Sequence, residues 1–184
     1  PVPVTVYELF YKDVDELHKN TGATESKIRV YPERKDIDLY DILDGHAPEN
    51  DKEILIDRMH ADNAGIKTGD TIYAGKTKCE VCGLAAFVDY STLYESNTDT
   101  MFDALTFNVG MTTDKGFARI RSNTSSNYAF TYNNAPADEY EEKELSDYFL
   151  KVLLTQVAAS ENEDLEMKDF VPAYANNAMN FAKD

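Results

Sequence analysis

Residues 53–84 read EILIDRMHADNAGIKTGDTIYAGKTKCEVCGL. The apolar run Glu53 to Ile56 predicts a brief strand. Arg58 to Asn63 predicts one or two helical turns, stopped by Gly65 where a positive φ is usual. Thr71 to Ala74 and Thr77 to Val88 then predict paired strands around Gly75-Lys76, a two-residue hairpin signal of the II′ kind. Strands and short helices follow one another here without a strict βαβ repeat, and that order points to an α+β fold.

The same stretch holds the only two cysteines, Cys79 and Cys82, spaced Cys-x-x-Cys. Alternation along a strand places Cys79 with Val81, Ala85 and Phe87 on one face, and Cys82 with Lys78, Glu80 and Leu84 on the other. Three residues of extended chain separate their Cα atoms by ~10 Å, whereas a disulfide tolerates at most about 7 Å. A zinc knuckle would require a second ligand pair, and there is no second cysteine pair. His18, His46 and His60 are scattered, and none completes a C-x-x-C-H haem site. Both thiols are therefore expected to be buried filler, behaving as small hydrophobes.

Outward from this centre, Val4 to Tyr11 predicts a strand rich in β-branched and aromatic residues, and Asp13 to Lys19 a short helix or turn. Ile28 to Tyr31 and Ile37 to Leu43 are strand candidates, and Gly45 to Lys52 is a polar loop. Thr106 to Thr113 alternates as a strand, followed by a short helix near Lys115 to Ile120 and a strand at Tyr128 to Tyr132. The longest helix is expected over Asp138 to Ala158. Leu145, Phe149, Val152 and Leu153 form an apolar stripe there, and Asp138 with Glu141 resembles a capping box. The tail after Glu161 is acidic, then aromatic and amide-rich from Phe170 to Phe181.

Composition narrows the functions. A chain of 184 residues suits one domain or two small subdomains sharing a core. Asp and Glu number 34 against 18 Lys and Arg, a formal charge of −16, so phosphate backbones and anionic bilayers repel the chain and nucleic-acid binding is not expected. No run approaches the ~20 apolar residues of a membrane-spanning helix. The chain opens Pro1-Val2-Pro3-Val4 without a signal peptide or initiator methionine, which suggests an excised fragment or a processed form.

Candidate chemistry is sparse. Asp57, His60 and Asp62 offer three metal-ligand types within one turn, but a histidine among carboxylates at a helix start is an ordinary surface arrangement, and the second histidine of a zincin is missing. Asn97, Asp99 and Asp103 hint at a calcium loop, but Met101 occupies the expected fifth ligand and Phe102 the required glycine. Ser91, in Asp89-Tyr90-Ser91, lacks a G-x-S-x-G elbow. Neither a P-loop nor a G-x-G-x-x-G occurs; Gly65, Gly69, Gly75 and Gly83 punctuate turns and strands. No catalytic, cofactor-binding or metal-ligating set is nominated, no cofactor is expected, and the chain reads as a non-enzyme.

From Gly45 to Phe117 the motifs fall in a fixed order. A Gly-x-x-Pro loop (Gly45, Pro48) precedes Glu-Ile-x-Ile-Asp (Glu53 to Asp57) and Gly-Ile-x-x-Gly-Asp-x-Ile (Gly65 to Ile72), and a strand closes in Val81-Cys82-Gly83. This order resembles the extracytoplasmic domain of FtsX-like ABC transporter permeases, related to the MacB-like periplasmic core domain. Asp89-Tyr90-Ser91 with Asn97 to Phe102, and Asp169 to Pro172, resemble the subgroup found in Gram-positive bacteria. Cys82 departs from the family's usual aliphatic residue.

The resemblance implies a porter-like α/β part (1–44 and 91–184) with an inserted small β-rich subdomain (45–90). It implies a place on the extracytoplasmic face of the cell membrane, between two membrane helices. It also implies work with a separate ABC ATPase subunit and an extracellular partner protein or substrate. The acidic, aromatic-rich composition leaves a free-standing secreted binding module as the alternative.

Overall fold

The computed structural model describes residues 4–18, 24–90, 93, 95 and 104–159. The fold is α+β, as the sequence predicts. Its strands are β1 (Val4–His18), β2 (Thr24–Pro32), β3 (Tyr40–Gly45), β4 (Glu53–Asp57), β5 (Thr71–Ala74), β6 (Thr77–Phe87), β7 (Phe107–Thr112) and β8 (Ser125–Tyr132). Its helices are α1 (Arg58–Ala64), α2 (Asp114–Arg119) and α3 (Glu139–Ala159).

Contacts divide the chain into two compact units, one of Tyr7–Ala129 and one of Pro1–Val6 with Phe130–Asp184. These boundaries do not follow the split at residues 45 and 90 drawn from sequence. The segment 45–90 instead supplies β4, α1, β5 and β6 to the same sheet as β1, β2 and β7.

In the larger unit that sheet closes on itself. The strand order β2-β7-β4-β6-β5-β1 returns to its start because β1 also pairs with β2. β1 is thus the seam, antiparallel to β2 and to β5, while β2–β7 and β4–β6 run parallel. The sequence predicts a helix or turn for Asp13 to Lys19, but β1 continues as a strand to His18. Its charges suit a solvated turn, yet Lys12, Val14 and Glu16 share the inward face, and Lys12 and Glu16 are buried.

Inside the ring Ile28, Val30, Ile54, Ile56, Ile72, Cys79, Val81 and Leu84 make one apolar cluster. A second cluster, including Tyr31, Leu55, Cys82, Phe87, Phe107, Val109 and Met111, lies on the opposite face of β2, β7, β4 and β6. Leu93 and Ala104, from the segment that follows β6, pack into it.

Two short helices close the ring. Asp57 caps α1, its carboxylate accepting from the N–H groups of Met59 and His60, and Gly65 ends the helix at φ 71°. At α2, Thr113 accepts from the Gly116 N–H. Lys12 Nζ donates to the carbonyls of Phe117 (2.9 Å) and Ile120 (2.7 Å) where that helix ends. In the smaller unit, the Glu141 N–H donates to the Asp138 carboxylate at the start of α3, and Phe130 packs on Phe149 with ring centroids 4.6 Å apart.

Among the described residues β3 pairs with β6 alone, and the two approach closely. Gly45 sits opposite Gly83. A Cβ on Gly45, at φ +73°, would lie 2.2 Å from the Cys82 carbonyl oxygen, and one on Gly83 would lie 2.6 Å from that of Asp44. Gly45→Ala is therefore expected to lower the unfolding free energy by about 3 kcal/mol or more, since backbone collision adds to left-handed strain. Gly69→Ala, at φ +90° with open space around its Cβ, is expected to cost about 1 kcal/mol. Urea titration of the two variants checks the difference.

Candidate functional site

Four buried polar side chains, Glu16, Ser26, His60 and Asn108, meet where α1 adjoins β1, β2 and β7. Glu16 (4 % exposed) and His60 (2 %) face one another, with His60 Nε2 3.4 Å from Glu16 Oε2. The same carboxylate accepts from Ser26 Oγ (3.0 Å) and Asn108 Nδ2 (2.8 Å). His60 Nδ1 donates to the Ala104 carbonyl at 2.7 Å, which turns Nε2 toward the acid.

Burial alone would push the Glu16 carboxyl up, but the imidazole, the amide and the hydroxyl outweigh it and hold it below the usual carboxylate range. Burial likewise disfavours a charged His60, yet Glu16, the Ala104 carbonyl and Asp57 together raise its pKa. Burial raises the Asp57 carboxyl, against the two N–H groups that it caps. When His60 is protonated the two form an internal ion pair that ties α1 to the seam strand.

A second set of charges lies on the face that carries the Tyr31 cluster. Arg29 forks onto Asp13, with Nε and Nη2 each 2.8 Å from a carboxylate oxygen. Its guanidinium stacks 4.4 Å from the Tyr11 ring centroid, and Nη1 donates to the Tyr90 hydroxyl. Tyr90 in turn shares a 2.7 Å hydrogen bond with Tyr31, whose phenol is pushed up by burial and then by Tyr90.

Arg34 forks onto Asp89 (2.7 and 3.1 Å) and lies 4.6 Å over the Tyr31 ring. Bidentate pairing together with ring stacking is guanidinium chemistry that lysine cannot reproduce. Beside Arg34 is a cavity of about 180 Å³ between residues 8–10 of β1 and residues 31–37. It falls below the ~300 Å³ at which small-molecule pockets begin.

The structure separates the residues that the sequence brings to notice. Asp57 caps α1, His60 turns inward to Glu16, and Asp62 pairs with Arg58 at 2.7 Å, so the three do not converge. Ser91, Asn97, Asp99, Met101, Phe102 and Asp103 lie outside the described residues.

Both cysteines are buried and free, each in a different apolar cluster. The alternation expected along β6 holds as far as Cys82 and then inverts. Leu84 joins Cys79, whereas Ala85 and Phe87 join Cys82. The cause is a bulge: Ile54 pairs with Val81 but Leu55 pairs with Gly83, so one extra residue of β6 resets the two-residue period.

That bulge leaves Cys82 beside His46 and Glu53, and one ligand atom from each of the three lies within 4.8 Å of the others. Sequence spacing gave no sign of this trio. The local signal was the glycine flanking two of the three, Gly45 before His46 and Gly83 after Cys82.

No family model matches the chain, and no curated protein matches it. Among solved structures it is similar to one described as "a domain of a putative Permease protein from Porphyromonas gingivalis", with a TM-score of 0.41 and 12% identity, over 90% of this chain and 74% of that one. Similarity of that degree assigns no function. Among the described residues no helix is long and apolar enough to cross a membrane.

The ion pair gives a pH window. Wild type is expected to exceed Glu16→Gln in stability by about 3 kcal/mol while both partners are charged, between the ordinary values of 4.5 for Glu and 6.5 for His. His60 has a raised pKa, so the difference is lost as pH climbs through its folded-state value above 6.5. Glu16 has a lowered pKa, so it is lost as pH falls through a folded-state value below 4.5. Paired urea titrations across pH 3–9 measure both limbs.

Proposed function

We propose that this chain is the extracytoplasmic domain of an FtsX-like ABC transporter permease. In this reading it is a non-enzymatic body that couples ATP-driven motion of membrane helices to the handling of a substrate or partner outside the cell. One observation carries the reading: the residues of the ordered Gly45-to-Phe117 pattern have definite backbone tasks within one unit. Glu53 to Asp57 is the strand β4, Asp57 caps α1, and Gly65 ends it in the left-handed region. The Gly69 N–H donates to the Val81 carbonyl, and the Val81 N–H to that of Asp70. Gly83 admits the backbone of β3. The motif order that suggests the family is thus an order of structural roles.

The charged groups buried or half-buried in this unit support a mechanical role over a reactive one. Glu16 is held by His60, Arg29 by Asp13, Arg34 by Asp89, and Lys12 by two carbonyls. Such pairs fix elements relative to one another, as a domain that relays motion needs. The partner in this reading is a separate ATPase subunit, reached through membrane helices on either side of residues 1–184.

The gene and its product test the proposal together. The expected outcome is a membrane helix encoded upstream of Pro1 and another after Asp184, and a full-length protein that co-purifies from membranes with an ABC ATPase. A signal peptide followed directly by this domain, with no multispanning remainder, overturns it. That result favours a secreted binding module, for which exposed Phe10, Leu39, Ile42, Leu43 and Val88 are the apolar contacts.

A further inference from the structure

The positions of His46, Glu53 and Cys82 around the β6 bulge point to a site for one divalent metal ion of the zinc class, which we infer binds here through the imidazole, the carboxylate and the thiolate, with water as the fourth ligand. One ligand atom from each residue lies within 4.8 Å of the other two. Tetrahedral zinc, with bonds of about 2.0–2.3 Å, sets its ligand atoms roughly 3.3–3.7 Å apart. Side-chain movements on the order of 1 Å thus complete the coordination.

The placement is built into the backbone. His46 follows β3, Glu53 begins β4, and Cys82 lies in β6, which pairs with both. The His46 N–H donates to the Cys82 carbonyl at 3.0 Å, and Gly45 and Gly83 permit that approach. The bulge keeps Cys82 out of the ring interior and beside the other two.

The ligand groups also have the outer partners that metal sites use to orient them. His46 Nδ1 donates to the Ala47 carbonyl at 2.8 Å, which leaves Nε2 with its lone pair. The Glu53 carboxylate accepts from the Glu49 N–H (2.7 Å) and from Asn50 Nδ2.

The donor set selects the ion. A thiolate and an imidazole favour zinc over magnesium or calcium, which take oxygen ligands. Two anionic ligands, Cys82 thiolate and Glu53, balance a +2 charge. Burial, followed by the nearby carboxylates of Glu53, Glu80 and Glu49, pushes the Cys82 thiol up to about 12. The same carboxylates surround His46, so the field that disfavours a free thiolate attracts a cation. On binding, the metal–sulfur bond forms as the S–H bond breaks and its proton passes to solvent, so affinity rises with pH. The site stands on its own geometry, whether or not the chain belongs to a permease.

Cobalt(II) is the probe, added to the reduced, metal-free 184-residue chain. The expected result is one equivalent bound, with a thiolate-to-cobalt charge-transfer band and tetrahedral d–d absorption, both displaced by zinc. Cys82→Ser should abolish the charge-transfer band, and His46→Ala and Glu53→Gln should each weaken binding by about tenfold or more. Cys79→Ala should leave the band intact. His46 is exposed, so His46→Ala carries the test if the Cys82 variant does not fold. A wild-type chain without the band, a band that survives Cys82→Ser, or affinity unchanged in both His46→Ala and Glu53→Gln overturns the site.

Discussion

The larger unit depends on one carboxylate at its seam. Glu16 is the residue of β1 that pairs with Ser26 of β2 on one edge and with Ala74 of β5 on the other, so it stands where the ring closes. Its side chain points inward, where a free charge would be severely penalised. Ser26, Asn108 and His60 remove that penalty, and each comes from a different element. One acid therefore joins β2, β7 and α1 to the seam. The Asn108 side-chain oxygen, which has no partner within the described residues, shows that even this network is satisfied around the acid first.

Elsewhere the backbone, more than side-chain chemistry, sets what the surface presents. The extra residue in β6 shifts the side-chain period, and two glycines let β3 press against the bulge. Together they bring the imidazole that follows β3, a carboxylate of β4 and a thiol of β6 to one place. The arginine pairs follow a different logic. Arg29 and Arg34 lock aromatic rings and acids across the outer face, and their planar forks hold directions as well as charges.

Much of the fold was legible because it is local. Asp57 and Gly65 bracket α1, Gly75-Lys76 turns β5 into β6, and alternation marks β7. The longest helix and its acidic cap were readable from the apolar stripe and from Asp138, although Leu153 of that stripe is exposed. What stayed hidden required knowledge of partners. The charges of Lys12-Asp13-Val14-Asp15-Glu16 suggest a solvated turn unless α1 and α2 are known to supply partners at the two ends of the ring. Ring closure leaves no signal in β1, since pairing on both edges of a strand does not alter its composition. The inversion after Cys82 depends on β4, which precedes it by more than twenty residues.

The two buried charges of β1 have a consequence for how the strand finds its place. Lys12 and Glu16 lie on the same face, four residues apart, or about 13 Å along the strand, and their partners sit at opposite ends of the ring. A slip of one residue would turn both outward, and a slip of two would strand each among isoleucines and valines without its polar partners. An apolar strand could slide past its neighbours at little cost. This one is keyed at both ends, and the sign of each charge matches only its own socket.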